Sequence, residues 1–261
     1  MLSMRRLRSS LVTASIALFA LGAAASPTVA GGGEVSKSPK AILADLKRDL
    51  SKVKSLHFAG RQTDPDGVTR ISGDVFASGS ASIGIAQGNG SVRMILLPRS
   101  TYLKANAAYW RASGGKNGPA LARKLADRWV KVPGSVRASV ASTLSKLAPK
   151  HLALCYSIGL GTLSNNGLKS LGGHKAIQLE DKGAQPGTAP GLLYIAADGP
   201  VLPLRQIQTG PRKAGGKLDK RCDDPHDETT AADVTLSHYD RVPQLTAPRH
   251  ALSLEDSGTT A

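Results

Sequence analysis

The segment from Gly90 to Trp110, GSVRMILLPRSTYLKANAAYW, carries the clearest pattern in the chain. Val92, Met94 and Leu96 alternate with Arg93, Ile95 and Leu97. After Pro98-Arg99, Thr101, Leu103 and Ala105 alternate with Tyr102, Lys104 and Asn106. Alternation with period two, interrupted by a proline turn and then resumed, predicts a β-hairpin with one buried face. The same period runs through the preceding residues. Leu56 and Phe58 alternate in SLHFAGRQT, and Asp64-Pro65-Asp66-Gly67 supplies a turn. Strands follow over Val68 to Ser78 and Ala81 to Gln87, and Gly88-Asn89-Gly90 turns into the hairpin. With Ala107 to Arg111 read as a short sixth strand, these elements form an antiparallel meander.

Helical spacing appears in two places. Ser38 is positioned as an N-cap and Pro39 as the first helical residue. Ile42, Leu43, Leu46, Leu50 and Val53 follow at helical intervals, with Lys47, Arg48, Lys52 and Lys54 opposite. This predicts an amphipathic helix over Ser38 to Lys54. After the meander, Asn117 precedes Leu121, Leu125 and Trp129, and Ser135 precedes Val136, Val140, Leu144 and Leu147. His151 to Ile158 forms a third short helix. Strands resume at His174 to Asp181, Gly191 to Ala197, Val201 to Thr209 and Asp233 to Tyr239. The fold class is therefore α+β: a large curved antiparallel sheet with an N-terminal helix and inserted short helices covering its concave side.

The first thirty residues belong to a different kind of segment. Arg5, Arg6 and Arg8 precede the apolar run Leu11 to Ala25, and two small-residue cleavage sites end at Ala25 and Ala30. That is the layout of a cleaved secretory signal peptide. The run is shorter than the ~20 residues needed to span a bilayer. Arg5-Arg6 is similar to a twin-arginine signal, although the residues after it fit that pattern poorly. No Cys follows the apolar run, so no lipobox is expected. The domain plan is then a signal peptide over 1–30, a Gly/Ser-rich spacer over 31–37, one domain over 38–248 and a disordered polar tail over 249–261. The expected location is secreted or in the cell envelope.

Removing Arg5, Arg6 and Arg8 lowers the formal net charge from +15 to +12. Such a field attracts anionic surfaces, and peripheral contact with an anionic membrane surface fits it. Nucleic-acid binding does not: the basic residues are scattered, aromatic residues make up 4% of the chain, and no base-reading motif is present. The two cysteines, Cys155 and Cys222, lie 67 residues apart. In an exported protein a disulfide is the default pairing, with two free thiols as the alternative.

Catalytic patterns are missing from the sequence. Cys222-Asp223-Asp224-Pro225-His226-Asp227-Glu228 is dense in potential ligands but lacks calcium-loop spacing and reads as a solvated acidic loop. The six histidines fall in no metal-ligating pattern; His57 and His238, alternating with apolar neighbours, are expected to face solvent. There is no Gly-x-Ser-x-Gly elbow, Cys-x-x-Cys pair or phosphate loop. The expectation is a protein that is not an enzyme, with no metal and no cofactor. What remains is the sheet, whose strands are rich in Ala, Gly, Ser, Val, Ile and Leu. Small side chains leave a concave face under-filled unless a helix or a ligand occupies it, and the residues alone favour neither occupant.

Four pieces in order carry a resemblance: Ser55-Leu56-His57-Phe58; Thr101-Tyr102-Leu103-Lys104 with Ala108-Tyr109-Trp110; Leu193-Tyr194-Ile195 with Leu202-Pro203-Leu204-Arg205; and Asp233 to Asp240. Over Ser38 to about Pro248 the chain resembles the LolA-like lipoprotein-carrier superfamily, most closely its actinobacterial LppX/LprG branch. The resemblance implies an open half-barrel with helices in its mouth and a hydrophobic cavity that holds acyl chains. It implies a monomeric carrier of lipid or of an acylated molecule. A regulatory sensor of RseB-like type, gripping another protein, is the alternative on the same scaffold. The expected cavity lining is Leu56, Phe58, Ile71, Val75, Val92, Met94, Leu96 and Leu103 from the strands, with Leu144 and Leu147 from the helices. Two departures stand out: branch members are usually lipidated at an N-terminal Cys that this chain lacks, and the family does not require a disulfide.

Overall fold

A computed structural model describes residues 33–158, 161–216, 219, 221–222 and 228–253. The expected signal peptide, Gly31-Gly32 of the spacer, Asp223 to Asp227 of the acidic loop and residues 254–261 of the tail lie outside the described residues.

The first helix, α1 (Pro39–Leu50), starts where its capping chemistry demands. Ser38 Oγ accepts the Ala41 N–H at 3.3 Å, and Pro39 fills the first position, where no N–H is needed. Its Ile42, Leu43, Leu46 and Leu50 are buried. The meander follows as β1 (Ser55–Asp64), β2 (Gly67–Phe76), β3 (Ala81–Gln87), β4 (Gly90–Leu97) and β5 (Ser100–Ala105), each antiparallel to the one before. Next come α2 (Ala107–Ser113), α3 (Gly118–Leu125), β6 (Val130–Lys131), α4 (Gly134–Ser145) and α5 (Pro149–Ile158). The second half is β7 (Leu163–Leu171), β8 (His174–Lys182), β9 (Pro190–Ala196), β10 (Pro203–Gln208), β11 (Ala231–Ser237) and β12 (Leu252–Ser253).

All twelve strands join one sheet in the order β12-β6-β5-β4-β3-β2-β1-β11-β10-β9-β8-β7. Every pairing is antiparallel except β12 with β6. β11 pairs with β1 from His57↔Ser237 to Thr63↔Ala231 and so stitches the two meanders together at the centre. Gly60 permits this approach, since a Cβ there would run into the carbonyl of Asp233 and the Cα of Val234. The sheet does not close, because β7 and β12 stand at opposite ends of the order. This is an open half-barrel, and the helices cover what barrel closure would otherwise enclose.

Four features differ from the sequence expectations. Ala107 to Arg111 is helical, not a sixth strand. Asn106 sits at its N-cap, and its Oδ1 accepts both the Tyr109 N–H at 2.9 Å and the Ser91 N–H at 3.2 Å. Helix α3 ends at Leu125, so Trp129 stands in the extended stretch that leads into β6 rather than on a helical face. Residues 163–171, for which no strand was expected, form the edge strand β7. Part of the segment expected as a tail is also ordered: Leu252 and Ser253 pair with Val130 and Lys131.

Candidate functional site: the interior between sheet and helices

Period-two alternation divides the meander into two faces. Leu56 and Phe58 on β1, Ile71 and Val75 on β2, Ala81 and Ile83 on β3, Val92, Met94 and Leu96 on β4, and Leu103 on β5 all point inward and are buried. Arg93 faces outward and is exposed, and Tyr102 and Lys104 beside it are half-buried. The ten residues expected to line a cavity (Leu56, Phe58, Ile71, Val75, Val92, Met94, Leu96, Leu103, Leu144, Leu147) fall in one continuous apolar cluster. None of them is more than 7% exposed. The cluster also takes in α1, Tyr109 and Trp110 of α2, Leu121 and Leu125 of α3, and Leu152 and Tyr156 of α5. The sequence reading left out most of these helical contributors, since helical spacing names a buried stripe but not the surface it meets.

The helices over this interior are tied to the sheet through different contacts. Helix α5 is fixed covalently: Cys155, fully buried, is bonded to Cys222 in the loop before β11. One residue on, the Tyr156 hydroxyl donates to Gln206 Oε1 on β10 at 3.0 Å. Burial pushes the Tyr156 phenol far above its usual value, so it remains a neutral donor. Helix α5 also packs along α1, and α1 is held in turn by Asp49, whose Oδ2 accepts the Val201 N–H at 3.0 Å.

Helix α4 meets a different part of the sheet. It rests mainly on β4 and β5 through Val140 and Leu144, and Arg137 Nη2 donates to the Pro98 carbonyl in the β4–β5 turn. The interior is thus covered by the disulfide-tied α5 and by α4 on β4 and β5.

Among the described residues, some buried polar groups are matched, while Thr101 Oγ1, Trp110 Nε1 and Gln208 Oε1 have no hydrogen-bond partner. Asp181 is 5% exposed, and its two oxygens accept the N–H groups of Gly161 at 2.7 Å and Gly183 at 2.8 Å. Burial holds its carboxyl above the usual range despite those donors. His151 lies within 4.8 Å of both disulfide sulfurs, and burial pushes its imidazole down. The sulfurs are consumed by the disulfide, so this trio offers a metal one imidazole and nothing more. His57 is not simply solvated: its Nδ1 lies 2.7 Å from Asp74 Oδ1, and its ring meets His238 edge-on at 5.7 Å.

No family model and no curated protein matches the chain. Solved structures do. One is lipoprotein LppX of Mycobacterium tuberculosis, with 18% identity over 80% of this chain and 100% of that one and a TM-score of 0.45. Another is LprF from Mycobacterium bovis, with 15% identity over 82% and 98% and a TM-score of 0.46. The chain is similar to LppX and LprF. A conserved protein of Thermus thermophilus is also similar, with 12% identity over 84% and 99% and a TM-score of 0.38.

Proposed function

We propose that the protein is an exported carrier that binds a lipid or an acylated molecule between the concave face of its half-barrel and the helices, and that it catalyses no reaction. The observation that carries this reading is the continuous apolar interior, from Leu56 and Phe58 through Met94 and Leu103 to Leu144 and Leu147, covered on one side by α4 lying on β4 and β5. An acyl chain has no polar group to satisfy, so such a lining needs only space and apolar surface. Outward movement of α4 supplies both, while the Cys155–Cys222 bond keeps α5 in place. The order of elements that resembles the LolA-like superfamily points the same way. The protein acts as a monomer, and its positive charge brings it to anionic membrane surfaces.

The test is native mass spectrometry of the mature protein purified from its own host, followed by organic extraction. Stoichiometric lipid in most molecules is the expected result. A repeatedly empty protein that also fails to take up a fluorescent fatty acid overturns the reading. If a protein partner were recovered by crosslinking from the same empty preparation, the scaffold would be serving as an RseB-like sensor instead.

A further inference from the structure

The opposite face of the sheet carries a site that the interior does not explain. An open trough of about 620 Å³ crosses β1 to β5 on the outward side. Its floor is the backbone of one cross-strand row, Gly60, Ile71, Ile85, Val92 and Ala105, in consecutive register. The side chains on either side of that row are small in the middle: Ala59, Ser72, Gly84, Ala86 and Ser91. Crossing four strand spacings makes the trough ~19 Å long, and its volume falls in the range of small-molecule sites.

Its walls are cationic. Arg93 and Lys104 are direct cross-strand partners on this face, and Arg70 on the other wall faces Arg61 in register. Like charges placed opposite one another in a sheet are destabilising on their own. Acidic groups on the same face relieve them only in part, through Asp233 opposite Arg61. Asp74 is engaged by His57, and Asp233, although it faces Arg61 across the β1–β11 pairing, is held by Arg205 through two contacts of 2.7 Å. Among the described residues, no ion pair joins Arg70, Arg93 or Lys104 to a carboxylate. Asp127 is the one acidic residue of the lining, and its backbone N–H is fixed on the Ala105 carbonyl at 2.8 Å. The end of the trough is Trp129, half-buried and one residue before Val130, which pairs with Leu103.

We infer that this trough binds a linear acidic oligosaccharide. An extended groove with a floor of small residues admits a chain of rings. The indole of Trp129 offers an apolar plate for a sugar face, Ser72 and Ser91 offer hydroxyls, and the three cations match carboxylate or phosphate substituents along the chain. The site lies on the face away from the apolar interior, so it is independent of the lipid reading.

Isothermal titration calorimetry on the full chain tests it, with tetragalacturonic acid as the probe. Maltotetraose serves as the neutral control of equal length, and galacturonic acid and inorganic phosphate serve as the short anionic controls. Saturable binding of the acidic tetramer is expected, at least tenfold tighter than any control and weakening as salt rises. Arg93→Glu with Lys104→Glu should reduce it at least tenfold. Gly84→Leu should block it while leaving the fold intact, because a Cβ at Gly84 meets only Ser72, at 3.6 Å and beyond. No saturation by about 1 mM overturns the inference, as does equal binding of maltotetraose or of inorganic phosphate. So does full binding by a folded Gly84→Leu protein, with circular dichroism reporting folding in each case.

Discussion

The Tyr156 hydroxyl on α5 donates to Gln206 Oε1 on β10 at 3.0 Å, adjacent in sequence to the cysteine that ties α5 to the loop before β11. Together these links tie α5 to β10 and to the loop before β11. Tyr156→Phe removes a buried hydrogen bond and should cost about 1–2 kcal/mol, lowering Tm by a few degrees. Cys155→Ser with Cys222→Ser opens a 67-residue loop and should cost roughly 4 kcal/mol on the chain-entropy model. Chemical denaturation of the two variants checks both. Near-equal losses would mean that the crosslink adds little to what the hydrogen bond already fixes.

Helix α4 should behave in the opposite way. Arg137→Ala removes its donor to the Pro98 carbonyl at a surface position, so the global stability loss should stay below about 1 kcal/mol. Hydrogen exchange across Arg137 to Ser145 should nevertheless speed up, and uptake of a fluorescent fatty acid with it, because local opening is what the contact restrains. Exchange that accelerates equally in α5 would show that the two helices open as one unit.

Met94 and Leu103 face each other across the β4–β5 pairing, and both point into the interior. Met94→Trp or Leu103→Trp fills space at a cost of roughly 1–3 kcal/mol and should lower lipid capacity by more than that loss of stability accounts for. Lipid per mole, measured after extraction on protein confirmed as folded, is the readout. Normal loading in both variants would reduce this hairpin to ordinary core.

Asn106 decides the fate of the residues after β5. Its side chain accepts from Tyr109 and Ser91 and donates to the Asn89 carbonyl at 2.7 Å. Asn106→Ala should therefore cost about 2 kcal/mol and loosen α2 selectively, with amide exchange at Tyr109 to Ser113 as the measurement. Asn106→Asp keeps the acceptor and should recover most of the loss.

Asn106 also marks the limit of what the sequence reveals. The β1–β5 meander was legible because one face of each strand is buried, so Val92, Met94 and Leu96 are forced into period two. Ala107 to Arg111 was misread because Tyr109 and Trp110 suit a strand by propensity, while the Asn106 cap overrules that preference locally. The edge strand β7 gave no signal. It pairs on one side only, with a register shift between Asn165 and Leu168, and none of its residues is fully buried. The pairing of β11 with β1 joins residues more than 160 positions apart, and no local pattern encodes it. The outward trough was hidden for the same reason, since Arg70, Gly84, Arg93 and Lys104 lie on four different strands and only register aligns them. The interior residues were legible individually, but the way α4 and α5 are held depends on Cys222, Gln206 and Pro98, which lie far from the helices they hold.

Asp181 gives the fold a pH dependence whose sign follows from its surroundings. Burial holds its carboxyl above the usual carboxylate value, so between the unfolded value of about 3.9 and the higher folded value the native state binds more protons than the unfolded chain. Stability from this group is then fully present below the unfolded pKa and is lost as pH rises through the folded one. At neutral pH the ionised group still accepts the Gly161 and Gly183 N–H groups, so Asp181→Ala leaves two buried donors without their partner and should cost roughly 2–4 kcal/mol. The gap between the native protein and Asp181→Ala should widen as pH falls from neutral towards the unfolded pKa. Urea unfolding at a series of pH values measures that gap directly. A gap that narrows on acidification would mean that the two backbone donors outweigh burial and hold the carboxyl below its ordinary value, reversing the assignment.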